Sequence, residues 1–151
     1  MNNCQLLIIT FIITAIWDII LRSLSLNIQY IPDIINKFFP FIGYLTPYFK
    51  QHTLLAAALL AGFIGATTQF IIINIIPFPT NFTDIIYILK FLLISFIISA
   101  LYGFLMKWSN LFPHLENTYY KNLGLLRSLY HDGISGLIVQ ITIISILIFI
   151  I

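Results

Sequence analysis

Four stretches of this chain are apolar almost from end to end, and within them polar or small residues recur at four-residue intervals. A helix of about 20 apolar residues crosses the hydrocarbon of a bilayer, and the pattern predicts four such spans, at 5–26, 53–76, 84–106 and 132–151. Backbone groups inside a bilayer are satisfied only in helices or closed barrels, and the alternation of barrel strands is absent. The expected fold is therefore all-α: an integral-membrane four-helix up-down bundle, one domain over residues 1–151. Between the first two spans, 27–52 carries Pro32, Pro40 and Pro47 among Ile34, Ile35, Phe38, Phe39, Tyr44 and Tyr48. That stretch is too broken to cross and suits an interfacial segment in the headgroup region. Pro77 to Thr83 reads as a tight turn, and 107–131 as a polar connector.

Composition sharpens the environment. The chain is 60% hydrophobic and 8% charged, with mean hydropathy +1.03, whereas soluble domains carry about a quarter charged residues. Such a chain has too little polar surface for water, and the lipid bilayer is its expected partner. The first span lacks the basic leader and small-residue cleavage site of a signal peptide, so it is expected to remain as a span. A net charge of +2 without a clustered basic face argues against nucleic acid. Cys4 is the sole cysteine, which rules out an intrachain disulfide and a cysteine metal cluster. His52 and His114 lack a second ligand at metal spacing. No metal or cofactor is expected. Val139 is the one valine in a chain dense in isoleucine, a skew that suits AT-rich coding, since packing accepts either residue.

The basic residues suggest an orientation. Lys37, Lys50, Lys107, Lys121 and Arg127 lie in the two long connections, with Arg22 just before the first. In an up-down bundle both connections share one side, which the positive-inside rule makes cytoplasmic, with both termini outside. Lys90 lies two turns inside the third span, where its stem can snorkel to the opposite surface.

Each span also carries a seam. Thr10, Thr14, Asp18 and Arg22 follow one another along one side of the first helix. Ionised groups facing lipid would cost a few kcal/mol each, so this stripe is expected to face the bundle, Asp18 pairing with Arg22. Ala57, Ala61 and Gly65, beside Ala58, Gly62 and Ala66, form a small-xxx-small pattern that allows close backbone approach, with Thr67, Thr68 and Gln69 beyond. Ser95, Ser99 and Gly103 repeat the interval on the third span, as do Asp132, Gly136 and Gln140 on the last. These small residues read first as close packing. Asp18, Arg22, Arg127, His131 and Asp132, with Gln140, form a candidate intramembrane polar cluster. It is either an ion-pair lock between the first and last helices or a site for an ion, proton or headgroup.

Enzyme signatures are weak. Ser135 follows His131 and Asp132 in "HDGISGLIV", but neighbours in sequence do not make a catalytic triad. Asn81 to Thr83, "NFT", matches the glycosylation pattern in a turn too close to the membrane for modification to be expected.

The stretches "SALYGFLMKWSNLFPHLENTYYKNLGLLRSLYHDGISGLIVQ" and "KQHTLLAAALLAGFIGATTQ" resemble uncharacterised small membrane proteins of large nucleocytoplasmic DNA viruses, such as those infecting algae and amoebae. An aspartate in the first span and the D-x-x-x-G of Asp132 and Gly136 resemble bacterial four-span proteins, although Ser135 stands where those usually have tryptophan. These resemblances imply a compact four-span fold and, if viral, a virion or host internal membrane. The leading expectation is a structural or interaction protein, with a second copy of itself or other membrane proteins as its candidate partners. The alternative is a small proton- or ion-coupled transporter or channel. It resembles the small multidrug exporters in having four spans and an acidic residue, Asp18, in the first, but departs from them in Arg22, in length and in aromatic residues beyond Trp17.

Overall fold

The computed structural model describes residues 2–27, 54–108 and 125–150, and these are helical apart from Asn2 and the turn at 76–84. Helices α1 (Asn3–Asn27), α2 (Leu54–Ile75), α3 (Ile85–Trp108) and α4 (Leu125–Ile150) follow in chain order. The interfacial segment expected at 27–52 and most of the 107–131 connector lie outside the described residues. So do His52, His114 and the side chains of Arg22, Ala57 and Arg127.

Local chemistry sets the helix ends. Asn2 caps α1 reciprocally with Gln5: Gln5 N–H donates to Asn2 Oδ1 at 2.8 Å, and Asn2 N–H donates to Gln5 Oε1 at 3.0 Å. This capping box satisfies two donors that would otherwise be orphaned at the helix start. At the end of α2, Ile76 N–H still donates to Ile72 O at 2.9 Å. Pro77 then has no N–H to continue the ladder and disfavours helical geometry in the residue before it. Asp84 restarts the chain as the N-cap of α3, accepting Tyr87 N–H at 3.0 Å. Tyr87 Oη donates back to Pro77 O at 2.8 Å, closing the turn.

Helix α1 packs chiefly on α2 and α3 chiefly on α4, with thinner contacts of α2 with α3 and of α1 with α4. Chain sense follows from the pairs that touch. Tyr102, late in α3, reaches Thr67, well before the end of α2, so α3 runs back alongside α2. Gly103 lies against Asp132 and Ser99 against Gly136, so α4 reverses α3. Two apolar clusters fill the centre: Leu6, Ile13, Val139 and Ile143 between α1 and α4, and Ile72, Ile76, Phe91 and Ile144 among α2, α3 and α4. Phe78, from the turn, packs edge-on to Phe91 with ring centres 5.3 Å apart, a favoured aromatic geometry.

The outside is apolar. Ile8, Ile12, Ile16 and Ile20 form an exposed ladder on α1, and Leu89, Leu93, Ile97, Leu101 and Leu105 form another on α3. Water would drive such ladders together or inward, whereas lipid accepts them. Asn3–Ile20, Ile85–Leu105 and Leu129–Ile150 are long and apolar enough to cross a membrane; the apolar run of α2 is the shorter Ala61–Ile75. These apolar helices mark the chain as a small membrane-associated helical protein.

Candidate functional site

Among the described residues, five glycines and several buried polar side chains lie between helices, along two seams. In the first, α2 presents glycines to α1. A Cβ at Gly62 would lie 2.9 Å from the Phe11 carbonyl oxygen, and one at Gly65 would lie 2.7 Å from Thr14 Cβ. No side chain fits there without moving α1, which is what brings the two backbones together. Ala58 is buried beside this contact and Ala61 half-buried. The threonines of α1 satisfy themselves within their own helix: Thr10 Oγ1 donates to Leu6 O at 2.8 Å and Thr14 Oγ1 to Thr10 O at 2.7 Å. Asp18, one turn further on, is half-buried.

The second seam joins α3 and α4. A Cβ at Gly103 would come within 2.9 Å of the Asp132 carboxyl carbon, one at Gly133 within 2.7 Å of the Phe96 ring, and one at Gly136 onto the Ser99 side chain. Gly103 therefore makes the room that Asp132 fills. Asp132 is buried together with its neighbour His131, and His131 Nδ1 lies 3.1 Å from Asp132 Oδ1. A buried carboxylate costs a great deal unless it is hydrogen-bonded, and the imidazole beside it supplies one such contact. Ser135 Oγ donates to the His131 carbonyl at 2.9 Å, so this hydroxyl serves the helix backbone and not the imidazole.

Among the described residues, side-chain hydrogen bonds tie helices across the bundle at three places. Trp17 Nε1 donates to Thr142 Oγ1 at 3.0 Å, joining α1 to α4. Tyr102 Oη donates to Thr67 Oγ1 at 3.0 Å, joining α3 to α2. Gln140 Nε2 donates to Gln69 Oε1, joining α4 to α2. Gln140 thus works two turns, about 12 Å, from the His131–Asp132 pair with which it shares a helix. Spacing on one face could have suggested Trp17, because 10, 14 and 17 fall on a single stripe. Nothing in the four-residue pattern pointed to Gly133, whose contact depends on the reach of Phe96.

His131 and Asp132 are thus brought together, and Gly103, Ser99 and Gly136 are placed around them and along the same seam. Lys90 is exposed on α3. Among the described residues, no group of three or more His, Cys, Asp and Glu is placed to hold a metal ion. Comparison of the chain with protein-family models, with curated proteins and with solved structures finds no match.

Proposed function

We propose that this is a small four-span integral membrane protein whose role is structural or interactive, with its polar seams holding the helices together inside the bilayer. The observation that carries this reading is the partition of side chains. Apolar ladders cover the outside, while glycines, hydroxyls, paired glutamines and the His131–Asp132 pair lie between helices. The second span rests on α2, whose 22 residues extend about 33 Å, enough for a hydrocarbon core of about 30 Å. The basic connections support termini on the extracytoplasmic side. The viral resemblance supports residence in a virion or host internal membrane. The partners on this reading are lipid, a second copy of the chain or other membrane proteins.

A second reading, a small proton- or ion-coupled carrier, draws on Asp18, a half-buried carboxylate past the middle of the apolar α1. Purified protein in proteoliposomes separates the two. The structural reading expects no proton-coupled flux from wild type or Asp18→Asn, together with stable recovery of wild type in the membrane fraction. Flux from wild type that Asp18→Asn abolishes would replace it with the carrier.

A further inference from the structure

The middle of the bundle holds three polar side chains that the two seams leave over. Gln69 of α2 and Ser95 of α3 have no exposed surface, and Gln140 of α4 retains 2%. The amide contact between the glutamines uses one end of each. Gln69 Nε2, Gln140 Oε1 and Ser95 Oγ are left with no hydrogen-bond partner among the described residues. Thr10, Thr14, Thr68, Ser135 and Thr142 each donate to the carbonyl one turn back, whereas Ser95 Oγ, fully buried, makes no such bond.

These three residues share one level. Ile72, Phe91 and Ile144 belong to a single buried cluster. Gln69 precedes Ile72 by one turn, Ser95 follows Phe91 by one turn, and Gln140 precedes Ile144 by one turn. Because α3 runs against both α2 and α4, all three steps lead the same way along the bundle. The result is a polar layer stacked on an apolar one. Ser95 is the midpoint of the apolar run Ile85–Leu105, and Gln140 falls at the middle of Leu129–Ile150. The layer is therefore as far from bulk water as the bundle allows, where an unmet polar group carries its full desolvation cost.

The unmet groups are one amide donor, one amide acceptor and one hydroxyl able to act as either. A single water molecule completes that set: it accepts from Gln69 Nε2 and donates one hydrogen to Gln140 Oε1 and the other to Ser95 Oγ. Buried waters typically make about three such bonds. A cation fits poorly, because the layer offers no carboxylate and one of its three groups is a donor. We propose that Gln69, Ser95 and Gln140 hold a buried water that joins α2, α3 and α4 at the centre of the bundle. This inference stands on the geometry of the helices whichever role the protein plays.

The test is solid-state NMR of the full chain in lipid bilayers with glutamine side chains labelled, following magnetisation from water into the protein. Transfer to the Gln69 side-chain amide is expected at a mixing time that leaves the Ile72 and Ile144 methyls dark; its absence would overturn the proposal. Ser95→Ala gives an independent sign. If the hydroxyl holds a water, alanine lowers the thermal unfolding midpoint. If the hydroxyl is simply unmet, alanine removes a cost, so an unchanged or raised midpoint contradicts the site. Replacing sodium and potassium with a bulky organic cation should leave the Gln69 signal intact. Loss of that signal would assign the layer to a metal ion instead.

Discussion

Glycine at 65 and 136 leaves no room for a side chain, and the cost of supplying one is the most direct energetic reading of the seams. Overpacking a close contact costs about 1–3 kcal/mol, and here the obstruction is the side chain of the facing helix at Thr14 or Ser99. Gly65→Leu and Gly136→Leu should each lower the unfolding midpoint in detergent, while Leu93→Ala, on the exposed ladder, should move it little. The glutamine pair makes a different prediction. Gln69→Leu leaves Gln140 buried without its contact, at a cost of about 1–3 kcal/mol, whereas Gln69→Leu with Gln140→Leu and Ser95→Ala removes every polar end of the layer and should recover most of that loss. A combined variant no better than the single would show that the layer does not act as one polar unit. At this scale the four-residue rows Ala57–Ala61–Gly65, Ala58–Gly62–Ala66, Ser95–Ser99–Gly103 and Asp132–Gly136–Gln140 pass through glycines where a Cβ would meet the facing helix. The partner of Gln140 was not legible: a shared helix face groups it with Asp132, but depth along the helix separates them, and only the packing of α2 shows which polar group lies at its level.

Between elements, the turn joining α2 to α3 was readable, because the apolar run before it ends at a residue that cannot continue a helix and the next run opens on one that caps it. Pro77 and Asp84 bound the turn between α2 and α3 on those grounds. The start of α4 differs from the apolar pattern: the span is expected near Asp132, yet the helix begins at Leu125. Helix formation follows backbone hydrogen bonding and propensity, and residues such as Leu125, Leu126 and Leu129 favour it regardless of where hydrocarbon begins. The cross-ties between helices were the least readable feature, since Trp17 and Thr142 are remote in sequence and neither belongs to a motif. Their hydrogen bond joins two helices with otherwise thin contact. Trp17→Phe should therefore cost about 0.5–1.5 kcal/mol, seen as a lower unfolding midpoint, and Thr142→Val should cost a similar amount without adding to it. Additive losses would mean that the two side chains act separately.

Across the whole molecule, the outward ladders and the inward seams are two sides of one constraint. Helices in lipid gain little from hiding apolar surface from each other and associate through close packing and hydrogen bonds. That accounts for glycines, hydroxyls and amides at the interfaces and isoleucines and leucines outside, the reverse of a water-soluble bundle. The partition was anticipated in outline from composition alone, while the pairing of α1 with α2 and of α3 with α4 required the structure. If this partition holds, hydrocarbon lies against the Ile12–Ile16 and Leu93–Ile97 faces. The most direct test is the accessibility of spin labels at Ile12, Ile16, Leu93 and Ile97 in reconstituted bilayers, to oxygen and to a water-soluble nickel complex. Oxygen should relax all four labels strongly and nickel almost not at all; strong relaxation by nickel at those positions would put water, not lipid, against these faces.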